Sequence, residues 1–295
     1  MPELPEVETI ARGLALRVKN DVVESVWLGS KPEPLKSPAA EIASTLESKR
    51  IMNVRRVGKH VVFDLEASSV AVRKKASRKR VASRARKRVG ASREVASPHA
   101  QWIVHLGMTG RILVCEPGSE IAKHTHAILQ LASGRELRFV DPRRFGRLSV
   151  THGFQAAGSE PLEVELERFV ELFRGRKTPI KSALLNQKLL SGVGNIYADE
   201  SLFRAGIRPK RRASSLRSEE LRRLYLSVQE VLKEAIALGG SSVSDYVDAD
   251  GEGGFFQLQH RVYGREGEPC LVCKSAVKRI VIAGRSSHYC PKCQK

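Results

Sequence analysis

The chain has 295 residues and a mass of 32.7 kDa, which is enough for two or three modules with cores of their own. A content of 41% hydrophobic and 28% charged residues excludes wholesale disorder. The 51 Lys and Arg outnumber the 32 Asp and Glu, which gives a formal net charge of +19. Such a charge predicts a polyanionic partner, with nucleic acid ahead of an anionic membrane surface.

The N-terminus lacks the basic and apolar regions of a secretory signal. No window approaches the roughly 18 apolar residues of a membrane span. We therefore expect a cytoplasmic protein with no membrane partner.

Residues 5–18 have the pattern of an amphipathic helix. Pro5 suits a first helical turn, and Glu6 and Glu8 would lie at the positive end of the helix dipole. Apolar residues recur at helical spacing, namely Val7, Ile10, Ala11, Leu14 and Val18. By this interpretation the first residues of the chain simply start a helix.

Pro2 also allows a chemical interpretation. A small second residue normally permits removal of Met1, which would leave Pro2 with a free secondary amine. An α-amino group has a pKa of about 8, against about 10.4 for lysine, so far more of it is an unprotonated nucleophile at pH 7. These residues taken alone leave both interpretations open.

Between about 22 and 150 the pattern changes to short β-branched runs separated by turns. The runs are "VVESVWL", "KHVVFDLE", "QWIVHLGM", "RILVCE", "HAILQLA" and "RELRFVD". This spacing predicts a β-sandwich or barrel. Cys115 lies alone in one of these runs, and we expect it to be a buried structural thiol.

One segment, at about 68–98, interrupts the strand pattern. It holds eleven Lys and Arg within 71–95 against the single acid Glu94, on a background of Ala and Ser. Such low-complexity sequence cannot bury a core. It is either a solvated insertion or an arm that tethers the protein to DNA without sequence preference through counterion release.

Beyond a linker at 152–161 the pattern becomes helical. "LEVELERFVELFRG" predicts a helix closed by Gly175, and "TPIKSALLNQKLL" predicts one with Thr178 as N-cap and Pro179 at its first position. A "GVG" turn then leads into a short helix over "NIYADESLFRAG" that ends at Gly206.

A longer helix is predicted from Ser218 to Gly239. Two helices joined by a Gly-rich turn resemble the helix-turn-helix group of DNA-binding units. Residues 241–264, rich in Gly, Ser and Asp, are expected to form a connector.

The C-terminal cysteines have the spacing of a zinc site. Two Cys-x2-Cys pairs are separated by sixteen residues; the cysteines are Cys270, Cys273, Cys290 and Cys293. Because all four positions are filled, we expect one structural Zn²⁺ that fixes a zinc ribbon. His288 is redundant as a ligand and is expected to face the surface or a phosphate.

Several motifs occur together and in a characteristic order. They are "MPELPEVETI", the pair Gly58 and Lys59, "HLGMTGR", "DPRRFG", "GVGNIYADE", and "VYGREGEPC" through "GRSSHYCPKCQ". This set closely resembles the bacterial formamidopyrimidine-DNA glycosylase family over almost the whole chain, apart from the basic segment at about 68–98.

The resemblance implies an α+β multidomain fold in three parts. An N-terminal helix with a β-sandwich would cover 1–155, and a zinc ribbon would cover 265–295. Between them, 160–264 would form a helix-two-turn-helix domain whose connector "SSVSDYVDADGEGGFFQ" is the family's lesion-recognition loop.

The resemblance also implies the catalytic residues. Pro2 would attack C1′ of the damaged nucleoside, and Glu3 would be the neighbouring general acid and base. Lys59 would donate a proton in β-elimination and contact phosphate. Arg285 would bind the phosphates beside the lesion and assist δ-elimination, while Glu6 would orient the site.

A second implied group binds DNA. Met108, Arg143 and Phe145 match residues that fill the space left by an extruded base. The implied phosphate contacts are His124, Arg176 and Asn195.

The resemblance implies a base excision repair enzyme that removes 8-oxoguanine and formamidopyrimidines from double-stranded DNA and then performs β,δ-elimination. We expect a monomer with one structural zinc and no redox or nucleotide cofactor. Two alternatives stay open: the related endonuclease VIII, which prefers oxidised pyrimidines, and a catalytically silent zinc protein that binds DNA.

Overall fold

The computed structural model describes residues 1–67, 100–242 and 252–295. The basic segment expected at about 68–98 and the middle of the connector lie outside these described residues. Among the described helices, none combines the length and apolar character required to cross a membrane.

The chain forms two compact units. The helical unit comprises Met1–Ala11, Arg56–Val61 and Gln155–Lys295. The sheet unit comprises Arg12–Arg55 and Val62–Phe154. The first residues of the chain and the turn that carries Lys59 therefore belong with the C-terminal half.

The N-terminal half of the chain contains two helices and eight strands in its described part. The helices are α1 (Leu4–Val18) and α2 (Ala39–Leu46). The strands are β1 (Val23–Leu28), β2 (Lys49–Val57), β3 (His60–Ala67), β4 (Ala100–His105), β5 (Arg111–Cys115), β6 (Thr125–Leu131), β7 (Glu136–Val140) and β8 (Arg147–His152).

The strands form two four-stranded sheets, in the orders β1-β6-β7-β5 and β2-β3-β4-β8. Strand β1 runs antiparallel to β6, with Trp27 opposite Ile128. Phe63 and Trp102 pack with their ring centroids 4.8 Å apart and are almost fully buried. These sheets confirm the expected β-sandwich.

Three elements of this half escaped the sequence analysis. Strands β2 and β8 have the sequences KRIMNVRRV and RLSVTH, whose polar residues hide the strand pattern. Helix α2 is short, and only Ile42 and Leu46 are buried. The expectation of a buried Cys115 was wrong, because this thiol ends the edge strand β5 and is only half-buried.

The C-terminal half contains four helices and a hairpin in its described part. The helices are α3 (Leu166–Phe173), α4 (Ile180–Leu184), α5 (Asn195–Arg204) and α6 (Ser218–Ala237), with single 3-10 turns at Ala213–Ser215 and Phe256–Gln259. The hairpin pairs β9 (Lys278–Ile282) with β10 (Arg285–Tyr289). Helices α3, α5 and α6 share one apolar core, which Leu4 of α1 also enters.

Helix α4 begins differently from the prediction. Pro179, not Thr178, is the N-cap residue, and no side chain caps the helix. The reason is tertiary, because the first helical N–H groups, of Ile180 and Lys181, donate to carbonyl oxygens of the 209–211 segment. Helix α6 ends at Ala237, two residues earlier than expected, because Gly239 and Gly240 both have a positive φ.

Candidate active site

Glu3 is anchored at the beginning of helix α5. Its Oε1 accepts the N–H of Ile196 at 3.1 Å and its Oε2 that of Tyr197 at 3.5 Å, so the carboxylate occupies the positive end of the helix dipole. A side chain at Gly194 would collide with the Glu3 carboxyl group, because a Cβ there would lie 2.2 Å from Cδ. The "GVGN" turn and the N-terminal motif thus fit together only with glycine at this point.

Burial controls the protonation of Glu3. Only 4% of the residue is exposed, and this desolvation raises the pKa of its carboxyl group. The positive charge of Lys59 and the two N–H groups of α5 act in the opposite direction. Pro2, directly before it, is buried as well.

Glu6 lies beside Glu3 and binds three donors. Its Oε2 accepts the Glu3 N–H at 2.8 Å, and its Oε1 accepts the Ser241 N–H at 2.7 Å and a short hydrogen bond from the Tyr197 hydroxyl. Desolvation and then the charge of Glu3 raise the pKa of Glu6 to about 7. One of the two carboxyl groups is therefore poised to hold a proton near neutral pH.

Lys59 lies at the turn between β2 and β3 and is 8% exposed. Desolvation lowers its pKa, partly offset by Glu3, while the charge of Arg285 lowers it further. Gly58, at φ +60°, allows the turn to approach Ser191, whose Oγ would lie 2.2 Å from a Cβ at this position. The same turn is held by Arg56, which donates to the Gly58 carbonyl.

The side chain of Arg56 is buried next to this turn, with 7% of it exposed, and connects the turn to two glutamates. It forms two 2.8 Å hydrogen bonds to Glu160 and one of 2.8 Å to Glu8 of α1. The turn that carries Lys59 is thereby tied to the helix that begins behind Pro2.

The hairpin that carries Arg285 is fixed by a buried ion pair. Lys181 Nζ lies 2.7 Å from Asp199 Oδ1 and donates to the Ser286 carbonyl at 2.6 Å. Asp199 also accepts the Ser287 hydroxyl and the His288 N–H. Arg285 itself is exposed at the start of β10.

His288 was expected to face the surface or a phosphate, and the surface position was wrong. The residue is only 7% exposed, its N–H is bound to Asp199, and its ring packs edge-on against Tyr263 at 5.1 Å. The bond from its N–H to Asp199, which pairs with the buried Lys181, holds this strand against the interior of the helical unit. Sequence spacing alone cannot reveal this contact.

Lys181, Asp199 and Glu200 escaped the sequence analysis. Glu200 accepts the N–H groups of Arg261, Val262 and Tyr263 at 2.8 to 3.0 Å, which joins α5 to the chain before the cysteine pairs. All three lie on helical segments that otherwise bury apolar side chains. Charged residues at such positions are rarely buried without a partner, and this pattern could have identified them.

The four cysteine Sγ atoms lie within 4.8 Å of one another. Cys270 and Cys293 are 3.9 Å apart, and Cys273 and Cys290 are 3.4 Å apart, between their Sγ atoms. Four thiolates at roughly 2.3 Å from a tetrahedral zinc ion require separations of this size. The residues present therefore fit the expected structural zinc.

Met108, Arg143 and Phe145 lie together on exposed loops of the sheet unit. Met108 is 41% exposed and Phe145 51%, and the Arg143 guanidinium stacks 4.8 Å from the Phe145 ring centroid. Asp141 fixes their loop, since its carboxylate accepts the Thr109 hydroxyl at 2.6 Å and the N–H of Gly146 at 2.7 Å.

The expected phosphate contacts are distributed over both units. His124 is exposed in the sheet unit with φ +70°, and Arg176 is exposed after α3. Asn195 opens α5 as expected, and its side-chain amide donates to the Ser286 hydroxyl at 3.3 Å. In the helical unit, Asn195 therefore joins the hairpin of Arg285.

Three family models match the chain in order. They are the formamidopyrimidine-DNA glycosylase N-terminal domain over 1–148, the H2TH domain of the same enzyme over 157–247, and a zinc finger found in FPG and IleRS over 267–295. A formamidopyrimidine-DNA glycosylase of Solibacter usitatus is 41% identical over the full length of both chains. The chain belongs to the formamidopyrimidine-DNA glycosylase family.

Solved structures of the family agree with this assignment. The MutM (Fpg) protein of Thermus thermophilus is 39% identical, with a TM-score of 0.80 over 99% of this chain and 98% of that one. A Lactococcus lactis Fpg variant, solved with DNA containing Fapy-dG, is 29% identical, with a TM-score of 0.83 over both whole chains.

Membership in the formamidopyrimidine-DNA glycosylase family confirms several expectations. The chain is a DNA glycosylase of base excision repair, in a family whose enzymes combine glycosylase with AP lyase activity. Its fold is the expected α+β arrangement with an H2TH domain and a four-cysteine zinc finger that holds one structural zinc ion.

Proposed function

We propose that the chain excises oxidised purines, chiefly 8-oxoguanine and ring-opened formamidopyrimidines, from double-stranded DNA and then cleaves the strand by β,δ-elimination. After removal of Met1, the Pro2 amine attacks C1′ of the damaged nucleoside, the base leaves, and an imine forms with the opened sugar. The observation that carries this proposal is Glu3, buried directly behind Pro2 and held by the N-terminus of α5.

Glu3 is proposed as the proton donor to the sugar ring oxygen. A carboxyl group with a raised pKa keeps its proton closer to neutral pH, which suits a general acid. Once ionised, the same group lies next to the positively charged iminium carbon and stabilises it. Glu6 orients this pair through its bond to the Glu3 N–H.

Lys59 and Arg285 are proposed to act after the base has left. Burial lowers the pKa of Lys59, so this amine exchanges a proton more readily than an exposed lysine and can serve in β-elimination. Arg285 carries a permanent charge on an exposed hairpin position and would bind the phosphates next to the lesion during δ-elimination.

The DNA contacts are proposals for residues of both units. The Lactococcus lactis relative was solved with DNA containing Fapy-dG, and we expect this chain to bind the same class of DNA. Met108 and Phe145 would fill the space of the extruded base, and Arg143 would pair with the orphaned cytosine.

Phosphates of the same duplex are assigned to three further residues. Asn195 begins α5, and its side-chain amide, which donates one N–H to Ser286, has a second N–H for a phosphate oxygen. His124 and Arg176 are exposed and accessible to a DNA backbone.

The domain boundaries at 1–155, 160–264 and 265–295 stay a prediction, as do the lesion-recognition role of the connector, a monomeric state and a cytoplasmic, nucleoid-associated location. The high net charge supports association with DNA.

The central experiment is covalent trapping. Intact-mass measurement first establishes whether Met1 has been removed, because with Met1 attached the Pro2 nitrogen is a tertiary amide. The protein is then incubated with 8-oxoguanine duplex and borohydride. We expect a crosslink that maps to Pro2, with Glu167→Gln, at an exposed position of α3, as a control that keeps Glu3 intact. A processed protein that forms no crosslink would contradict the proposal.

Lesion preference is tested on a matched pair of duplexes. One contains 8-oxoguanine opposite cytosine and the other thymine glycol, each under single-turnover conditions. We expect faster cleavage of the 8-oxoguanine strand. A preference for thymine glycol would instead assign the activity of endonuclease VIII, and DNA binding without cleavage of either strand would indicate a silent DNA-binding protein.

A further inference from the structure

Glu3 and Glu6, the two buried glutamates at the start of the chain, have chemically different neighbours. Glu3 interacts with the charge of Lys59 and with that of Lys181. Glu6 also interacts with the charge of Lys59, more weakly than Glu3 does. Within the described parts of the chain, its hydrogen bonds come from neutral groups, namely the hydroxyl of Tyr197 and the backbone N–H groups of Glu3 and Ser241. Phosphates bind to cationic side chains, whereas an uncharged base is recognised by hydrogen bonds to donors and acceptors on its edge. The Glu6 side of the site is therefore the one suited to the base.

Ser241 is held at two points on this side. Its N–H donates to Glu6 at 2.7 Å, and its hydroxyl lies 3.1 Å from Nε2 of His260. Both residues are buried, with Ser241 4% and His260 8% exposed. A chain of two hydrogen bonds therefore runs from Glu6 through Ser241 to the His260 ring.

The His260 ring is fixed by its aromatic neighbours. It packs edge-on against Phe256 and against Tyr263, with ring centroids 5.6 Å away in both cases. Phe256 in turn packs against Tyr197, which donates to Glu6. The ring that binds Ser241 and the hydroxyl that binds Glu6 thus belong to one packed group.

His260 brings no charge into this group. Burial lowers its pKa to about 4, so the ring is neutral at physiological pH. A neutral imidazole offers one N–H and one lone pair, which is sufficient for a single hydroxyl. Its contribution is therefore the placement of Ser241.

We propose that His260 is a positioning residue for base excision, which holds Ser241 against Glu6 on the side of the site that receives the base. This inference rests on the proposed function. It assigns to His260 an effect on the release of the base and none on the later cleavage of the abasic strand, where the cations around Glu3 act.

Hydrogen bonds that do not involve His260 also join the residues on either side of the connector. Ser242 N–H donates to Gln257 Oε1 at 2.9 Å, and Gly254 N–H donates to the Ser242 hydroxyl at 2.8 Å. Phe256 N–H donates to the Gly240 carbonyl at 2.9 Å. These bonds join the two described ends of the connector. We therefore expect them to remain when His260 is substituted.

The experiment compares two duplexes with five variants of the full chain, one of which is the double variant His260→Leu/Ser241→Ala. One duplex contains 8-oxoguanine opposite cytosine, and the other contains a preformed abasic site. His260→Leu removes the hydrogen bond, and His260→Gln restores a polar group at similar reach. Ser241→Ala removes the hydroxyl but keeps the N–H. Leu258→Ala, on the same turn and 76% exposed, is the matched control.

We expect His260→Leu to slow single-turnover base release about five- to tenfold, the effect of one buried hydrogen bond, and to change cleavage of the abasic duplex less than about twofold. Ser241→Ala should match it, the double variant should lose no more than either single one, and His260→Gln should recover most of the rate. Leu258→Ala should resemble the unmodified chain on both duplexes.

Equal losses on the two duplexes would overturn the inference, because they would indicate a general structural role. A fully active His260→Leu, or additive losses in the double variant, would overturn it as well. If the unmodified chain cleaves neither duplex, it is the proposed function that fails.

Discussion

Lys181 Nζ lies 2.7 Å from Asp199 Oδ1, and both side chains are almost completely buried, with 1% and 0% exposed. The pair connects α4 and α5 to β10, since Lys181 also donates to the carbonyl of Ser286. The residue before Ser286 is Arg285. An ion pair in the interior of the helical unit therefore determines where the exposed cation of the hairpin lies.

Removing one partner of this pair should be costly. Lys181→Met leaves the Asp199 carboxylate buried without a counter-charge, and we expect a loss of about 3–5 kcal/mol in the free energy of unfolding. The loss is measured by denaturant titration of the helical circular dichroism signal. Arg168→Met is the control, because its pair with Glu171 is 60% exposed on both sides and should contribute less than about 1 kcal/mol. Similar losses in the two variants would contradict the assignment.

Gly58 should be required for activity because of its approach to Ser191. An alanine Cβ there would lie 2.2 Å from the Ser191 Oγ, so Gly58→Ala should displace the turn of Lys59. Gly118→Ala is a matched control, because Gly118 also has a positive φ, +77°, but no atom lies within 4 Å of its Cβ position. Both variants should lose about 1–2 kcal/mol of stability through backbone strain.

Only Gly58→Ala should also lose activity, by about tenfold or more, in single-turnover cleavage of an abasic duplex. Equal rates for the two glycine variants would show that the position of Lys59 does not depend on this contact.

Glu6 should make the helical unit less stable as the pH rises. Its pKa is raised to about 7 in the folded chain, so between about pH 4.5 and 7 the folded state binds a proton that the unfolded state has lost. The stabilisation is complete below this range and disappears as the pH rises through it, at no more than about 1.4 kcal/mol per pH unit. Glu6→Gln should flatten this dependence.

The measurement is denaturant titration at several pH values, followed by helical circular dichroism. Tryptophan fluorescence is unsuitable, because both tryptophans, Trp27 and Trp102, lie in the sheet unit. Glu167→Gln, at an exposed position of α3 in the same unit, is the control. If Glu6→Gln keeps the slope of the unmodified chain, Glu6 does not hold the proton.

Zinc removal should separate DNA binding from the stability of the sandwich. Among the described residues, the buried cluster around the metal site comprises Val262, Cys270, Val277 and Cys290, which is too small to fold the hairpin without the ion. A chelator should release one zinc ion per chain and abolish DNA binding. Tryptophan fluorescence should stay unchanged, because it reports on the sandwich. Loss of the fluorescence signal together with zinc would contradict this prediction.

The basic segment, which lies outside the described residues, should act on binding rather than on excision. Deletion of 71–95 removes eleven Lys and Arg, so the logarithm of the non-specific binding constant should vary less steeply with the logarithm of salt concentration. Single-turnover excision at saturating enzyme should stay within about twofold. As a control, an uncharged segment of equal length in place of 71–95 separates the effect of charge from that of length. A large loss of excision rate would contradict this prediction and support a catalytic role for the segment.

The sequence predicted much of the fold, but short polar elements escaped it. Strands such as "HAILQLA" were visible because their apolar residues recur at short range. Strand β2 was not, because its charged residues make tertiary contacts, such as the bonds of Arg56 to Glu8 and Glu160. The N-cap at Thr178 was wrong for the same reason, since distant carbonyl groups satisfy the start of α4.

The sequence by itself determined the chemistry that depends on residue type and order: the zinc ligands with their fixed spacing, the positive charge, and the family motifs around Pro2, Lys59 and Arg285. Only the tertiary structure decided which charges are buried and which groups they contact. The raised pKa of Glu3 and Glu6, the inward position of His288 and the bond of His260 to Ser241 arise from residues far apart in the chain. Desolvation and hydrogen bonding depend on distance in space, and a linear pattern does not contain that distance.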